Sequence, residues 1–216
     1  WPCWAVSNHD VERAVSRWGG RPSDPRLARM LVAMLCSLRG SVCLYQGEEL
    51  GLAEAEVAFE DLQDPYGITF WPNFKGRDGC RTPMPWTDAP LAGFTTGKPW
   101  LPIPAEHRAA AVAVQDADPG SVLTAFRAFL AWRRTQPTLQ HGDIRFLDSA
   151  EPVLLFERML ADETLLLAFN LSAEAVSHPL PAGTWQQLDV PGPDAGTVED
   201  TELRLPPRAV YCARRS

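Results

Sequence analysis

Three groups of residues in this chain bring together side chains that can do chemistry. Asn8-His9-Asp10 sets an imidazole beside a carboxylate. Glu48-Glu49 pairs two carboxylates. Gly76-Arg77-Asp78-Gly79-Cys80-Arg81-Thr82-Pro83-Met84-Pro85-Trp86 carries two guanidiniums, Arg77 and Arg81, in a Gly- and Pro-bounded run. A carboxylate accepts hydrogen bonds, a neutral imidazole donates one and accepts one, and a guanidinium donates several in a fixed plane. Together they suit the binding and orientation of polar groups. Each also has a structural alternative. Taken alone, such a tripeptide is more often a turn or cap and such a glutamate pair usually a solvated face, while Arg81 serves equally as one half of a salt bridge. Asp61-Leu62-Gln63-Asp64 lacks the dense ligand pattern of a calcium loop and reads as structural.

These groups need elements to position them. Trp4-Ala5-Val6 reads as a short strand that delivers the tripeptide at its exit. Asp24 and Pro25 suit the cap and first position of a helix over 25–39. In it Leu27, Met30, Leu31, Met34, Leu35 and Leu38 recur at three- and four-residue steps, and Gly40 fits its stop. Residues 41–45 then read as a strand buried on both faces. Strand, helix and strand with short connections imply a parallel pair with a right-handed crossover. Residues 47 to about 118 follow as a long Gly-, Pro- and aromatic-rich loop, a feature that is uncommon in compact domains and usually functional. It leaves the same strand edge at which α/β architectures bind ligands. Within it a short helix is expected over 106–114. Trp71, Phe74 and Trp86 are candidates to stack on a ligand or to fill the loop's interior.

A further helix is expected over about 121–136, with Arg133 and Arg134 in its last turn and Pro137 beyond. From about residue 141 short strands take over, at 153–156, 165–169, 185–190 and 209–212, with Asp162-Glu163 as a turn. The domain boundary is therefore placed at 140, giving domains 1–140 and 141–216.

The 216 residues include 45% hydrophobic and 22% charged side chains, enough apolar material for a buried core. The net charge of −7 argues against a nucleic-acid partner. No apolar run reaches membrane-spanning length. Five cysteines, an odd number with no Cys-x-x-Cys pair, give no zinc spacing. They fit buried thiols in a reducing, cytoplasmic setting. Only seven residues precede the tripeptide and residue 1 is Trp, so the chain reads as the C-terminal piece of a longer protein.

Taken together the motifs are more specific than any one of them. Trp1 to Asp10 resembles the stretch entering the seventh barrel strand of α-glucosidases in the α-amylase family, glycoside hydrolase family 13. Tyr45-Gln46-Gly47-Glu48-Glu49-Leu50-Gly51 is similar to that family's segment at the end of strand eight. Gly76 to Trp86 resembles the R-x-P-M-x-W block of α-glucosidases and oligo-1,6-glucosidases. The resemblance implies the last quarter of a (β/α)8 TIM barrel, from strand seven to helix eight, followed by a C-terminal antiparallel β domain.

It also implies a retaining α-glucosidase acting on terminal α-linked glucose of short oligosaccharides, of maltose or isomaltose type. A glucosyltransferase using the same site and a non-catalytic relative are the alternatives. Retention needs a nucleophile and an acid/base, which the resemblance assigns to earlier barrel strands, so the isolated chain is expected to be inactive. By the same resemblance Asp10 is the carboxylate that stabilises the transition state. His9 and Arg81 bind substrate, while Asn8, Arg13, Arg77 and the Glu48-Glu49 pair take supporting roles. No organic cofactor and no metal site are implied.

Overall fold

The computed structural model describes residues 1–19 and 23–216. Two short parallel strands come first in the architecture, β1 (Cys3–Trp4) and β2 (Ser41–Val42), in register Cys3 with Ser41 and Trp4 with Val42. Between them lie α1 (Ala14–Gly19) and α2 (Pro25–Ser37). Asp24 caps α2: its Oδ1 accepts from the Arg26 N–H at 2.9 Å. Leu27, Met30, Leu31 and Leu35 are buried along one face. At full burial each such leucine stabilises by roughly 2 kcal/mol.

The strands are shorter than expected, and neither is buried on both faces. Cys3, Trp4 and Ser41 are exposed and Val42 is half-buried. Among the described residues β1 and β2 pair only with each other, so each also keeps an open edge. Gly40 does not act as a left-handed helix stop. It takes φ +137°, and a Cβ there would lie 2.4 Å from the Pro2 carbonyl oxygen. Its role is to let the two strands approach.

The long segment after β2 is built from short pieces. It holds 3-10 turns at Glu48–Leu50, Phe59–Asp61 and Asp78–Cys80, then α3 (Pro65–Phe70), α4 (Ala105–Ala109) and α5 (Val112–Asp116). The helix expected over 106–114 is thus two helices. The break has a clear cause. The N–H groups of Val112 and Ala113 donate to the carbonyls of Pro85 and Trp86, each at 3.0 Å, instead of to the preceding turn. α6 (Val122–Arg133) and α7 (Pro137–His141) complete the helices.

The remaining strands form two antiparallel sheets. β3 (Asp143–Phe146), β4 (Val153–Leu160), β5 (Glu163–Asn170), β7 (Trp185–Gln187) and β10 (Val210–Arg215) pair in the order β3-β4-β5-β10-β7. β6 (Val176–Pro179), β8 (Thr197–Glu199) and β9 (Glu202–Leu205) pair in the order β6-β9-β8. Alternate residues from the two sheets, Val153, Leu155, Leu166, Ala168, Leu203 and Leu205, meet in one core with Tyr211 and Ala213. That is the two-residue period of a pleated strand.

The chain divides into two compact units. One comprises Trp1–Trp4, Arg29–Val42 and Ala125–Ser216. It contains a buried cation, Arg158, whose guanidinium donates to the carbonyls of Ser37 (2.6 Å), Gly142 (2.8 Å) and Leu139 (2.9 Å). The other unit comprises Ala5–Ala28 and Cys43–Thr124, and holds the residues singled out for chemistry.

Candidate functional site

The loop leaving β1 is shaped locally. Asn8 Oδ1 accepts from the Asp10 N–H at 2.8 Å, an Asx turn that points His9 and Asp10 outward. Ser7 Oγ accepts from the Ala14 N–H at 3.0 Å and closes the loop onto α1. Arg13 is almost wholly buried and ties this loop to two later segments. Its Nη1 donates to the Gln46 carbonyl at 2.8 Å and its Nη2 to the Cys80 carbonyl at 3.0 Å. Gly47 must be glycine beside it: φ is +89°, and a Cβ would sit 2.6 Å from Arg13 Nη1.

Asp10 receives both arginines of the Gly76–Trp86 run on one oxygen. Arg77 Nη1 donates to Oδ1 at 2.9 Å and Arg81 Nη2 to the same atom at 3.1 Å. Arg81 also donates from Nε to the His9 carbonyl at 2.7 Å. The other oxygen, Oδ2, lies 3.4 Å from His9 Nε2. The structure therefore brings Asp10, His9 and Arg81 together, and adds Arg77 to them. Partial desolvation pushes the Asp10 pKa up. The hydrogen bond from Arg77 and the charges of His9, Arg77 and Arg81 outweigh that and hold it below the ordinary carboxylate value. The carboxylate is ionised at neutral pH.

Behind Arg77 stands Asp64. Asp64 Oδ2 accepts from Arg77 Nε at 2.9 Å and from the Arg77 backbone N–H at 2.8 Å, and Oδ1 accepts from Nη2 at 2.9 Å. The same side chain caps α3 through the Tyr66 N–H at 3.2 Å. This paired fork drives the Asp64 pKa well below the usual range against the effect of burial. Asp64 is thus structural, as the sequence reading has it, and its pairing with Arg77 is what that reading does not contain. A signal was present in Asp64-Pro65, a cap followed by a first-turn proline, but nothing in the sequence joins it to Arg77. Asp78, fully buried, was also missed: its Oδ2 accepts from the N–H groups of Gln63 (2.6 Å) and Asp64 (2.8 Å).

Glu48 and Glu49 serve the backbone of their own turn. Glu48 Oε2 accepts from the Tyr45 N–H at 3.0 Å and Glu49 Oε2 from the Gly47 N–H at 2.8 Å. Burial pushes the Glu48 pKa up, and the charge of Glu49 adds to it. Below Arg81, Thr82 Oγ1 lies 3.2 Å from His107 Nδ1, while His107 Nε2 lies 2.8 Å from the Ala53 carbonyl. A carbonyl only accepts, so Nε2 carries the proton and Nδ1 accepts from the Thr82 hydroxyl.

A cleft of about 340 Å³ opens beside Asp10, lined among others by Glu12, Glu54, Glu56, Phe74, Lys75 and Arg77. Trp71, Phe74 and Trp86 are exposed rather than packed into the loop. Among the described residues no group of three or more His, Cys, Asp or Glu side chains is arranged to hold a metal ion. No helix among them is long and apolar enough to cross a membrane.

Comparison with known proteins adds the decisive observation. Residues 1–142 match the family described as alpha amylase, catalytic domain. The chain belongs to the alpha-amylase family. Residues 145–212 match a domain of unknown function, DUF3459. This alpha-amylase family chain is 50% identical over 215 residues to a probable alpha-glucosidase of Rhizobium meliloti, covering 99% of the chain and 39% of that protein. It is 31% identical to an oligo-1,6-glucosidase of Heyndrickxia coagulans, covering 93% of the chain and 39% of that protein. Among solved structures, an alpha-glucosyl transfer enzyme, XgtA, superposes with a TM-score of 0.97 at 68% identity, over 100% of the chain and 40% of the enzyme. The trehalulose synthase MutB superposes with a TM-score of 0.85 at 29% identity, over 99% of the chain and 43% of that protein. The chain thus spans about two fifths of the length of these relatives. Its parallel strands and helices correspond to the end of the family's TIM barrel, and its antiparallel sheets to the β domain that follows.

Proposed function

We propose that this chain supplies the sugar-holding part of a retaining α-glucosidase site, which releases terminal α-linked glucose from short oligosaccharides of maltose or isomaltose type. The observation that carries the reading is the hydrogen bond from Arg81 Nη2 to Asp10 Oδ1, which joins two motifs 71 residues apart. In this reading Asp10 accepts hydrogen bonds from sugar hydroxyls. Its negative charge gains strength as positive charge develops on the ring, so it favours the transition state over the bound substrate. His9 donates to a hydroxyl without adding fixed negative charge, and Arg81 contacts the sugar with the donors that Asp10 and His9 leave unused.

The nucleophile and acid/base are assigned to no residue of this chain. Glu48 and Glu49 are both engaged by backbone N–H groups of their own turn. The junction between barrel part and β domain is placed near residue 140, and the cytoplasm is proposed as its location from the cysteine pattern. The test is the full-length gene product on an aryl α-glucoside. Asp10→Ala should lower kcat/KM by about 10²-fold or more, and unchanged kcat/KM would reject the reading.

A second reading is transfer of the glucosyl group to an acceptor alcohol in place of water. It is favoured by the 68% identity to an alpha-glucosyl transfer enzyme. An acceptor-competition assay separates the two. Transfer gives a new glucoside at the expense of free glucose as acceptor rises, whereas hydrolysis leaves the glucose yield unchanged.

A further inference from the structure

The two arginines that reach Asp10 are held very differently. Arg81 rests on a main-chain carbonyl, that of His9. Arg77 is gripped by the Asp64 side chain, which has no exposed surface, through two side-chain donors and its own backbone N–H. A guanidinium is planar and rigid, so fixing Nε and Nη2 also fixes the direction of Nη1. That remaining donor meets Asp10 Oδ1. Asp64 is itself fixed from behind, because its N–H donates to the buried Asp78 carboxylate. The segment between them is closed where two glycines touch. A Cβ on Gly76 would lie 2.8 Å from Gly67 Cα, and a Cβ on Gly67 would lie 2.6 Å from the Lys75 carbonyl oxygen.

The Asp10 side chain is half exposed. Nothing on its own loop holds its carboxylate except the exposed His9, whose Nε2 at 3.4 Å is beyond ordinary hydrogen-bond distance. We propose that Arg77 is a positioning residue of this site: anchored by Asp64, it fixes Oδ1 of Asp10 so that Oδ2 is presented to the sugar. The inference rests on the reading of Asp10 given above. It assigns the two oxygens different tasks, Oδ1 to the protein and Oδ2 to the substrate. Displacing a reacting group by about 1 Å is enough to lose about 10²-fold in rate, so a rigid tether on an exposed carboxylate has a direct catalytic consequence. The nearest charges alternate in sign: Asp64 and Asp10 face Arg77, and Arg77, Arg81 and His9 face Asp10.

The test is a double-mutant cycle in the full-length gene product with an aryl α-glucoside. Arg77→Met alone should lower kcat/KM by about 10- to 100-fold, chiefly through kcat. In the Asp10→Asn background the same change should alter kcat/KM by less than about 3-fold, because the group it positions is already disabled. Should Arg77→Met fail to fold, Arg77→Lys is used in the same cycle. One ammonium keeps a charge on Asp64 but cannot grip it in two places and reach Asp10 as well, so the rate loss should persist in the folded variant. A loss from Arg77 substitution that multiplies in full onto an impaired Asp10→Asn enzyme overturns the proposal alone. Wild-type rates for Asp10→Asn itself overturn the reading of Asp10, and the proposal with it.

Discussion

Arg13 Nη1 donates to the carbonyl oxygen of Gln46 at 2.8 Å across 33 residues of sequence, and Nη2 of the same guanidinium reaches Cys80 across 67. One buried side chain therefore joins the loop that carries Asp10, the turn that carries Glu48 and the run that carries Arg77 and Arg81. It does so by donating to main-chain carbonyls, which no substitution at those partner positions removes.

Arg13→Met should consequently destabilise the protein by about 2–4 kcal/mol, since it leaves two acceptors in a dry interior. Gly47→Ala should be similarly damaging, because it drives a methyl into the same guanidinium from a backbone that disfavours it. Denaturant unfolding measures both. Midpoints equal to wild type would show that Arg13 is not the tie described.

Asp64 predicts an acid-sensitive stability. Its folded pKa lies below the ordinary aspartate value of 3.8, chiefly through the hydrogen bonds from Arg77. Above that value the carboxylate is charged in folded and unfolded chains alike, and its full contribution is present. As pH falls below about 4 the unfolded chain takes up a proton that the folded one refuses, so stability declines toward the folded pKa. Asp64→Asn should be less stable at pH 7 and should show a shallower fall between pH 4 and pH 2.5. Parallel slopes for the two proteins would contradict the assignment.

Arg158 makes the corresponding prediction in the other unit. Burial first, and the charges of Arg133 and Arg39 next, push its pKa down to about 10, yet it remains charged at neutral pH. Its removal in Arg158→Met strands the carbonyls of Ser37, Leu139 and Gly142, and should destabilise by about 3 kcal/mol. Thermal unfolding is the measurement, and a shift of less than about 1 °C would count against it.

The 216-residue chain on its own should release no aglycone from an aryl α-glucoside. The two carboxyl groups that retention requires are not assigned to it. Turnover by the purified chain, abolished by Asp10→Ala, would overturn that expectation.

Much of this was legible in the sequence where a signal is local. α2 declares itself through Asp24-Pro25 and its regular apolar steps, and β4 and β5 through runs that fill a core on both sides. The parallel pairing of β1 and β2 followed from a helix lying between two short apolar runs. Asp10, His9 and Arg81 lie in two motifs readable in the sequence, and the structure brings them together. What was hidden depends on contacts between distant segments. The break between α4 and α5 is set by the carbonyls of Pro85 and Trp86, which no helical periodicity records. Arg77 looked like an accessory charge because its partner lies 13 residues away, in a stretch that resembled an ordinary acidic turn. The buried Asp78 was invisible for the same reason: it binds main chain, and main chain has no sequence signature.

The clasp between Asp64 and Arg77 also bears on how such a chain can diverge. Both ends of the intervening stretch are locked, by the acid–guanidinium fork and by the contact between Gly67 and Gly76, while Tyr66, Phe70, Trp71 and Phe74 within it stand exposed. That makes residues 68–74 an exchangeable cassette on a fixed mount, Gly67 belonging to the lock and the Tyr66 ring lying against the Arg77 guanidinium. Phe74 lines the cleft, so a change at that end of the stretch alters the cleft wall while Asp10 stays in place. New preferences for neighbouring groups can then arise without retuning the carboxylate beneath them.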